Sequence, residues 1–220
     1  MTEPLPEDWT TGLAVVAHPD DLEYGAASAI ARWTDQGKAI SYVLVTRGEA
    51  GLEVPPDEAG PLREAEEIAS ASVVGVSTVE FLGHHDGVVE ADLGLRRDLA
   101  RAVRSWGGPS FNMADHRNVG IALLDATRDA ANRWIFPELL DEGHEPWAGV
   151  RMVCFSGSPV STHVVDVSDH LERGIESLEQ HRAYLEHVGT DAREMLTASA
   201  HAAGEAAGFQ YAVTFEVVEP

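Results

Sequence analysis

Four consecutive residues, His18-Pro19-Asp20-Asp21, follow an apolar run over residues 13–17. An imidazole and two carboxylates at the mouth of a buried strand suit a metal site with a spare carboxylate beside it. His18 and Asp21 stand three apart on a turn leaving a strand, so both can face one point. Asp20 between them is held close without having to bind. A catalytic zinc takes three protein ligands and keeps one position open. Asp115-His116 follows another extended segment and precedes another helix. His116 is therefore expected as the third ligand, with Asp115 orienting an imidazole. Such a zinc lowers the pKa of its bound water to roughly 7. Asp20 then acts as general base and returns the proton to a leaving amine. That combination describes hydrolysis of an amide. The competing reading is structural, because aspartates also cap helix N-termini and complement the helix dipole. Spacing alone leaves both readings open.

The elements around these residues read as an α/β chain. Residues 13–17 form a short buried strand. Leu22, Ala26, Ala29, Ile30 and Trp33 mark one helix face, which Gly37 stops. Residues 40–46 are a second strand, which makes a parallel βαβ unit with a right-handed crossover. Residues 47–61 are a long polar loop suited to substrate binding. A helix is expected over 62–74, a strand over 78–82, and a loop over 83–89 with His84, His85 and Asp86. The next helix carries Leu95, Leu99, Ala102, Val103 and Trp106. A short extended piece at 110–112 and a helix over 119–134 follow, then a loop over 135–149. Strands are expected at 150–155 and 162–167. Asp169 and Glu172 resemble a capping box for one helix reaching about His187. A further helix covers 191–203, and alternating apolar residues mark a strand over 209–217. The pattern predicts one domain over 1–220, with an N-terminal arm at 1–12. Its fold is a Rossmann-like, doubly wound, mostly parallel sheet flanked by helices. Ligands bind such sheets beyond the carboxyl ends of the strands, where His18–Asp21 lies.

Composition excludes some partners. Thirty-seven acidic residues against 15 basic ones give a net charge of −22 over 220 residues. Nucleic acids and anionic membranes repel such a surface. No apolar run reaches the ~18 residues of a membrane span. The N-terminal stretch has no apolar signal core, so the expected location is cytoplasmic. Cys154, within an apolar run, is expected to be a buried structural thiol. A nucleotide-binding Rossmann protein fits poorly, since two carboxylates stand where a phosphate loop would be.

The segments AHPDDLEYGA, TRGEAG, LREAEEIA, FLGHHDG and DHRNVG occur in that order. Together they resemble the PIG-L/LmbE-like N-deacetylases, over residues from about 13 to about 185. The resemblance implies a Rossmann-like fold and zinc-dependent removal of an acyl group, often acetyl, from an amino sugar. It matches His18, Asp21 and His116 to the zinc ligands and Asp20 to the general base. It matches Arg63 and Asp86 to positions that contact sugar hydroxyls. The implied partner is a small N-acylated molecule, with a homo-oligomer possible in this family.

One position departs from the family. Its third-ligand element reads HPDH, whereas this chain has Met113-Ala114-Asp115-His116. The first His is implied to stabilise an oxyanion or protonate the leaving group, and Met113 can do neither. His163, at the start of an expected strand, is the first replacement to consider, then His84, His85 and His144. Arg47 is a further candidate electrophile and substrate contact near the sheet edge. His181 and Arg182 read as helix-packing and interface residues. Tyr24, Trp134 and Trp147 either line a sugar pocket or fill the core. The alternative to an enzyme is a catalytically impaired metal-binding accessory protein of the same fold.

Overall fold

The computed structural model describes residues 2–105 and 114–219. The expected extended piece at 110–112, with Trp106 and Met113, lies outside them. Strands β2 (Thr11–Val16), β3 (Ala39–Leu44) and β4 (Thr78–Phe81) form one parallel sheet in that order. A second sheet has the order β1 (Glu3–Pro4), β6 (His163–Asp166), β7 (Ala212–Val218), β5 (Val153–Ser156). There β1 runs parallel to β6, while β7 is antiparallel to both neighbours. The expected N-terminal arm thus contributes an edge strand.

Alternate residues of a strand point to opposite faces, so one strand can serve two cores. Leu13 and Val15 enter a cluster with Leu95, Leu99, Val119 and Leu123, carried by α4 (Leu93–Ser105) and α5 (Ala114–Asp129). Val16, Tyr42 and Leu44 enter the other cluster, with residues of α1 (Asp21–Gly25), α2 (Ala27–Asp35) and α3 (Pro56–Val73). Helices therefore cover both faces of the parallel sheet, as the alternation of elements predicts.

Several boundaries differ from expectation for local reasons. The helix expected after the first strand breaks at Ala26, between α1 and α2. A Cβ on Gly25 would stand 2.4 Å from Ser156 Oγ, so this turn requires glycine for its close approach to β5. α3 begins at Pro56, a residue pre-set for a first helical position, which shortens the expected loop to residues 47–55. The loop expected over 135–149 contains a short helix, α6 (Glu138–Asp141), whose Leu139 is fully buried. The helix expected from Asp169 to His187 is two, α7 (Leu171–Leu178) and α8 (Arg182–Val188). No side chain caps α7, so Asp169 and Glu172 form no capping box there. Asp166 takes over this turn by accepting from Ser168 N at 3.0 Å and Ser168 Oγ at 2.6 Å. α9 (Ala192–Ala207) is capped by Asp191, which accepts from Glu194 N at 2.9 Å. Trp134 is 80% exposed and does not fill the core.

The N-terminal segment is tied down by one carboxylate. Glu7 accepts from Arg32 Nε and Nη2 at 3.0 Å each, and from Trp33 Nε1 and Gln36 Nε2 at 2.9 Å each. Partial burial pushes the Glu7 carboxyl up, but these donors outweigh it and hold it down to about 2. A folded pKa below the unfolded value gives stability that is present above the unfolded pKa. That stability is lost as pH falls toward about 2. Glu7→Gln is expected to cost on the order of 1 kcal/mol at pH 7, after allowance for solvent screening. Urea unfolding at pH 7, 4 and 3 should show the difference shrinking as pH falls. A difference independent of pH would contradict this assignment.

Candidate active site

The turn after β2 is built by its own backbone. Asp21 Oδ2 accepts from His18 N at 2.8 Å and from Ala17 N at 3.1 Å, which closes the turn. Asp20 adopts the left-handed conformation, φ 88°, at the N-cap of α1. Aspartate tolerates this region better than most residues, at a modest cost in strain. Its side chain makes no capping bond, so the helix-cap reading of the turn does not account for Asp20. The neighbouring β3 end is stitched alongside. Thr46 Oγ1 donates to Ala17 O at 2.9 Å and accepts from Gly48 N at 3.1 Å.

α5 brings the second half of the site. Its first turn holds Asp115 and His116. His116 Nε2 lies 3.0 Å from His18 Nδ1 and 3.0 Å from Asp21 Oδ1. His18 Nδ1 is 3.7 Å from Asp21 Oδ2. These three residues each offer one ligand atom, all within 4.8 Å of one another. The other nitrogen of His18 faces acceptors only, with Asp86 Oδ1 at 2.9 Å and Asp115 Oδ2 at 3.3 Å. Two carboxylates at Nε2 put a proton there and leave the Nδ1 lone pair for a cation. The donor set therefore fits a metal ion. Burial by itself would depress the His18 pKa, but the carboxylates of Asp21 and Asp86 outweigh it and hold it up to about 10. Burial likewise pushes the Asp21 carboxyl up, and its bonds to His116 and His18 bring it well below the usual range. A proton on His18 thus answers, in part, the same negative charge that a cation would.

Asp20 sits beside this cluster, only 4% exposed. Burial raises its carboxyl well above the usual range, the charges of Asp21 and Glu23 add to that, and Arg63 opposes it. Arg63, from α3, donates to Asp20 Oδ2 at 3.0 Å, Pro19 O at 2.6 Å and Gly48 O at 3.0 Å. Its guanidinium also lies 4.3 Å from the centre of the Tyr184 ring. Gly48, at φ +63°, is required for this reach, because a Cβ there would fall 2.2 Å from Arg63 Nη1.

The structure thus brings together His18, Asp20, Asp21, Arg63, Asp86, Asp115 and His116. Two of them, Arg63 and Asp86, also have partners around the turn. Arg63 is 2% exposed, and its donors meet the turn. Asp86 uses Oδ1 on His18 and Oδ2 on Ala50 N, at 2.9 Å each, so it orients a ring and pins the 47–55 loop. His163 is not brought to the site. It lies in the second sheet, in register with Glu3 and Phe215, and its Nδ1 meets Thr162 Oγ1 at 2.8 Å. Strand order decides this, since β6 pairs with β1 and β7 and not with β2. Arg47 is half-exposed and pairs with Glu64 at 3.3 Å, at the rim of the turn. His84 meets Asp98 at 3.3 Å, and the side chain of His85 is 90% exposed.

Sequence reasoning missed a second polar group beneath the first. Glu23, Glu67 and His181 are almost fully buried and close together. Burial, with the charge of Glu23, raises the Glu67 carboxyl well above the usual range. His181, expected to be a packing or interface residue, stands between two carboxylates. The available signal was the spacing of Arg63, Glu67 and Ser70, which places them on one helix face.

The segment from 13 to 127 matches the family described as PIG-L, GlcNAc-PI de-N-acetylase. The diacetylchitobiose deacetylase of Thermococcus kodakarensis is 26% identical over 185 residues, covering 78% of this chain and 68% of that protein. The 1D-myo-inositol 2-acetamido-2-deoxy-alpha-D-glucopyranoside deacetylase of Kineococcus radiotolerans is 33% identical over 127 residues. That match covers 53% of this chain and 35% of the relative, so the chain spans about a third of that relative's length. The solved structure of N,N'-diacetylchitobiose deacetylase from Pyrococcus horikoshii shares the fold, with TM-score 0.87 and 22% identity. The likeness covers 97% of this chain and 85% of that one. The family match takes in just over half of the residues, from the strand before His18 to the helix that carries His116, and the chain belongs to the PIG-L family.

Proposed function

We propose that this protein is a zinc-dependent hydrolase that removes an N-acyl group, acetyl in the first instance, from an amino-sugar-like small molecule. The observation that carries this reading is the convergence of His18 Nδ1, His116 Nε2 and Asp21 on one point, with Asp20 buried beside it. The relatives support the substrate class, since their names are those of deacetylases acting on acetamido sugars.

His18, Asp21 and His116 would hold the ion. Once bound, zinc supplies Lewis acidity and a water with a pKa near 7. The remaining work falls to this chain's own groups. Asp20 takes a proton from the attacking water as the water oxygen bonds to the acyl carbon. It returns that proton to the departing nitrogen as the C–N bond breaks, giving acetate and a free amine. Asp86 and Asp115 hold the His18 ring in the orientation that presents Nδ1. Arg63 keeps the Asp20 carboxylate from turning into solvent.

Acetate release from N,N'-diacetylchitobiose and N-acetylglucosamine conjugates tests the reading. Asparagine also tolerates the left-handed region, so Asp20→Asn is expected to fold and to keep one equivalent of zinc. Its kcat should fall by roughly 10²–10⁴-fold. Equal acetate release by wild type and Asp20→Asn would remove Asp20 from its role. Bound zinc without release from any probe would favour the accessory protein instead. Separately, His116→Ala should lose zinc by elemental analysis, and chelation of the wild type should abolish turnover until zinc is restored. A His116→Ala protein with full zinc content would contradict the ligand assignment.

A further inference from the structure

α3 buries a polar face. Ala59, Arg63, Glu67, Ser70 and Ala71 point inward, whereas Leu62 and Ile68 are 42% and 51% exposed. Burial of two charged side chains in place of two apolar ones needs specific partners. Arg63 finds its partners on the His18–Asp21 turn. Glu67, one helical turn further on, accepts from the backbone N of Asp20 at 3.2 Å. Asp20 therefore has its carboxylate held by Arg63 and its backbone held by Glu67, both from one rigid helix.

Glu67 lies in a buried polar group with Glu23 and His181. His181 Nε2 lies 3.6 Å from Glu67 Oε2 and 3.6 Å from Glu23 Oε2, and the imidazole is fully buried. Ser70 Oγ donates to Glu23 Oε1 at 2.7 Å and lies 2.7 Å from Ser177 Oγ. Ser177 sits on α7, and His181 sits in the break between α7 and α8. The group thus ties α1, α3 and the α7–α8 corner beneath the Asp20 turn.

We propose that Glu67 is a positioning residue for Asp20, holding its left-handed backbone beside the His18–Asp21–His116 cluster, with His181 and Glu23 packed close to Glu67 in the buried group beneath. This rests on the reading of Asp20 as the general base. Glu67 touches neither the ion nor the substrate. Its effect passes through one N–H···O bond to the residue that moves the proton. Misplacement of a base by an ångström slows turnover without weakening substrate binding.

The test compares Glu67→Met, which keeps the side-chain length and removes the acceptor, with Glu67→Gln, which keeps an acceptor oxygen. Zinc content, acetate release and NMR hydrogen exchange at the Asp20 amide are measured for both, with Asp20→Asn alongside. For Glu67→Met the expected result is a roughly hundredfold lower kcat, with KM within about threefold of wild type. Zinc should stay at one equivalent, and the Asp20 amide should lose its exchange protection. Glu67→Gln should restore both kcat and protection. If Asp20→Asn is inactive while Glu67→Met keeps wild-type kcat and a protected amide, the positioning role is overturned and the base assignment survives. If Asp20→Asn is fully active, the base assignment fails, and with it the catalytic part of this proposal. Amide protection still decides whether Glu67 holds the turn. A second equivalent of zinc in the wild type that Glu67→Met abolishes would overturn the proposal by making the buried group a cation site.

Discussion

The arrangement depends on holding one carboxylate, Asp20, out of water in a backbone conformation that few side chains adopt. It is 4% exposed at φ 88°. Left alone, such a group would swing toward solvent and take an ordinary φ. Arg63 opposes the first movement and Glu67 the second. Both come from α3, so the conformation of the Asp20 turn is set by a helix that is remote in sequence and adjacent in space.

Burial of this much charge constrains the packing around it. Arg63 reaches Gly48 O only because residue 48 has no side chain, and Tyr184 lies against the guanidinium. The corner between α7 and α8 breaks where His181 turns inward beneath Glu67. A continuous helix would present residue 181 at a phase set by its neighbours, and the break frees it from that phase. Apolar layers on both faces of the parallel sheet supply the rigidity, and the polar seam lies between them at the carboxyl end of β2.

Much of the His18, Asp21 and His116 cluster is legible because it is local. His18 and Asp21 are three residues apart, and Asp21 closes its own turn through Ala17 and His18 backbone amides. His116 is legible for a different reason: it stands in the first turn of a helix, and parallel α/β crossovers deliver such positions to one sheet edge. His163, chosen for its place at the start of a strand, lies elsewhere because that strand belongs to the second sheet. Its partners are set by hydrogen bonds to β1 and β7, and nothing in the spacing of residues distinguishes the two sheets in advance.

By itself the sequence determined the βαβ start, the helical cover of both sheet faces, and the cluster of His18, Asp20 and Asp21 at a strand end. These follow from hydrophobic period and from short-range turn chemistry, which act within a few residues. Only the tertiary structure decided what surrounds them. Arg63 lies 43 positions from Asp20 and Asp115 lies 97 from His18, and both contacts depend on how helices cross the sheet. Which face of α3 turns inward was also decided there. Leu62 and Ile68 stay exposed, and the buried face is the one whose charges find partners on the Asp20 turn. Desolvation of Arg63 and Glu67 is tolerable only with those partners in place, so their burial is a property of the assembled fold.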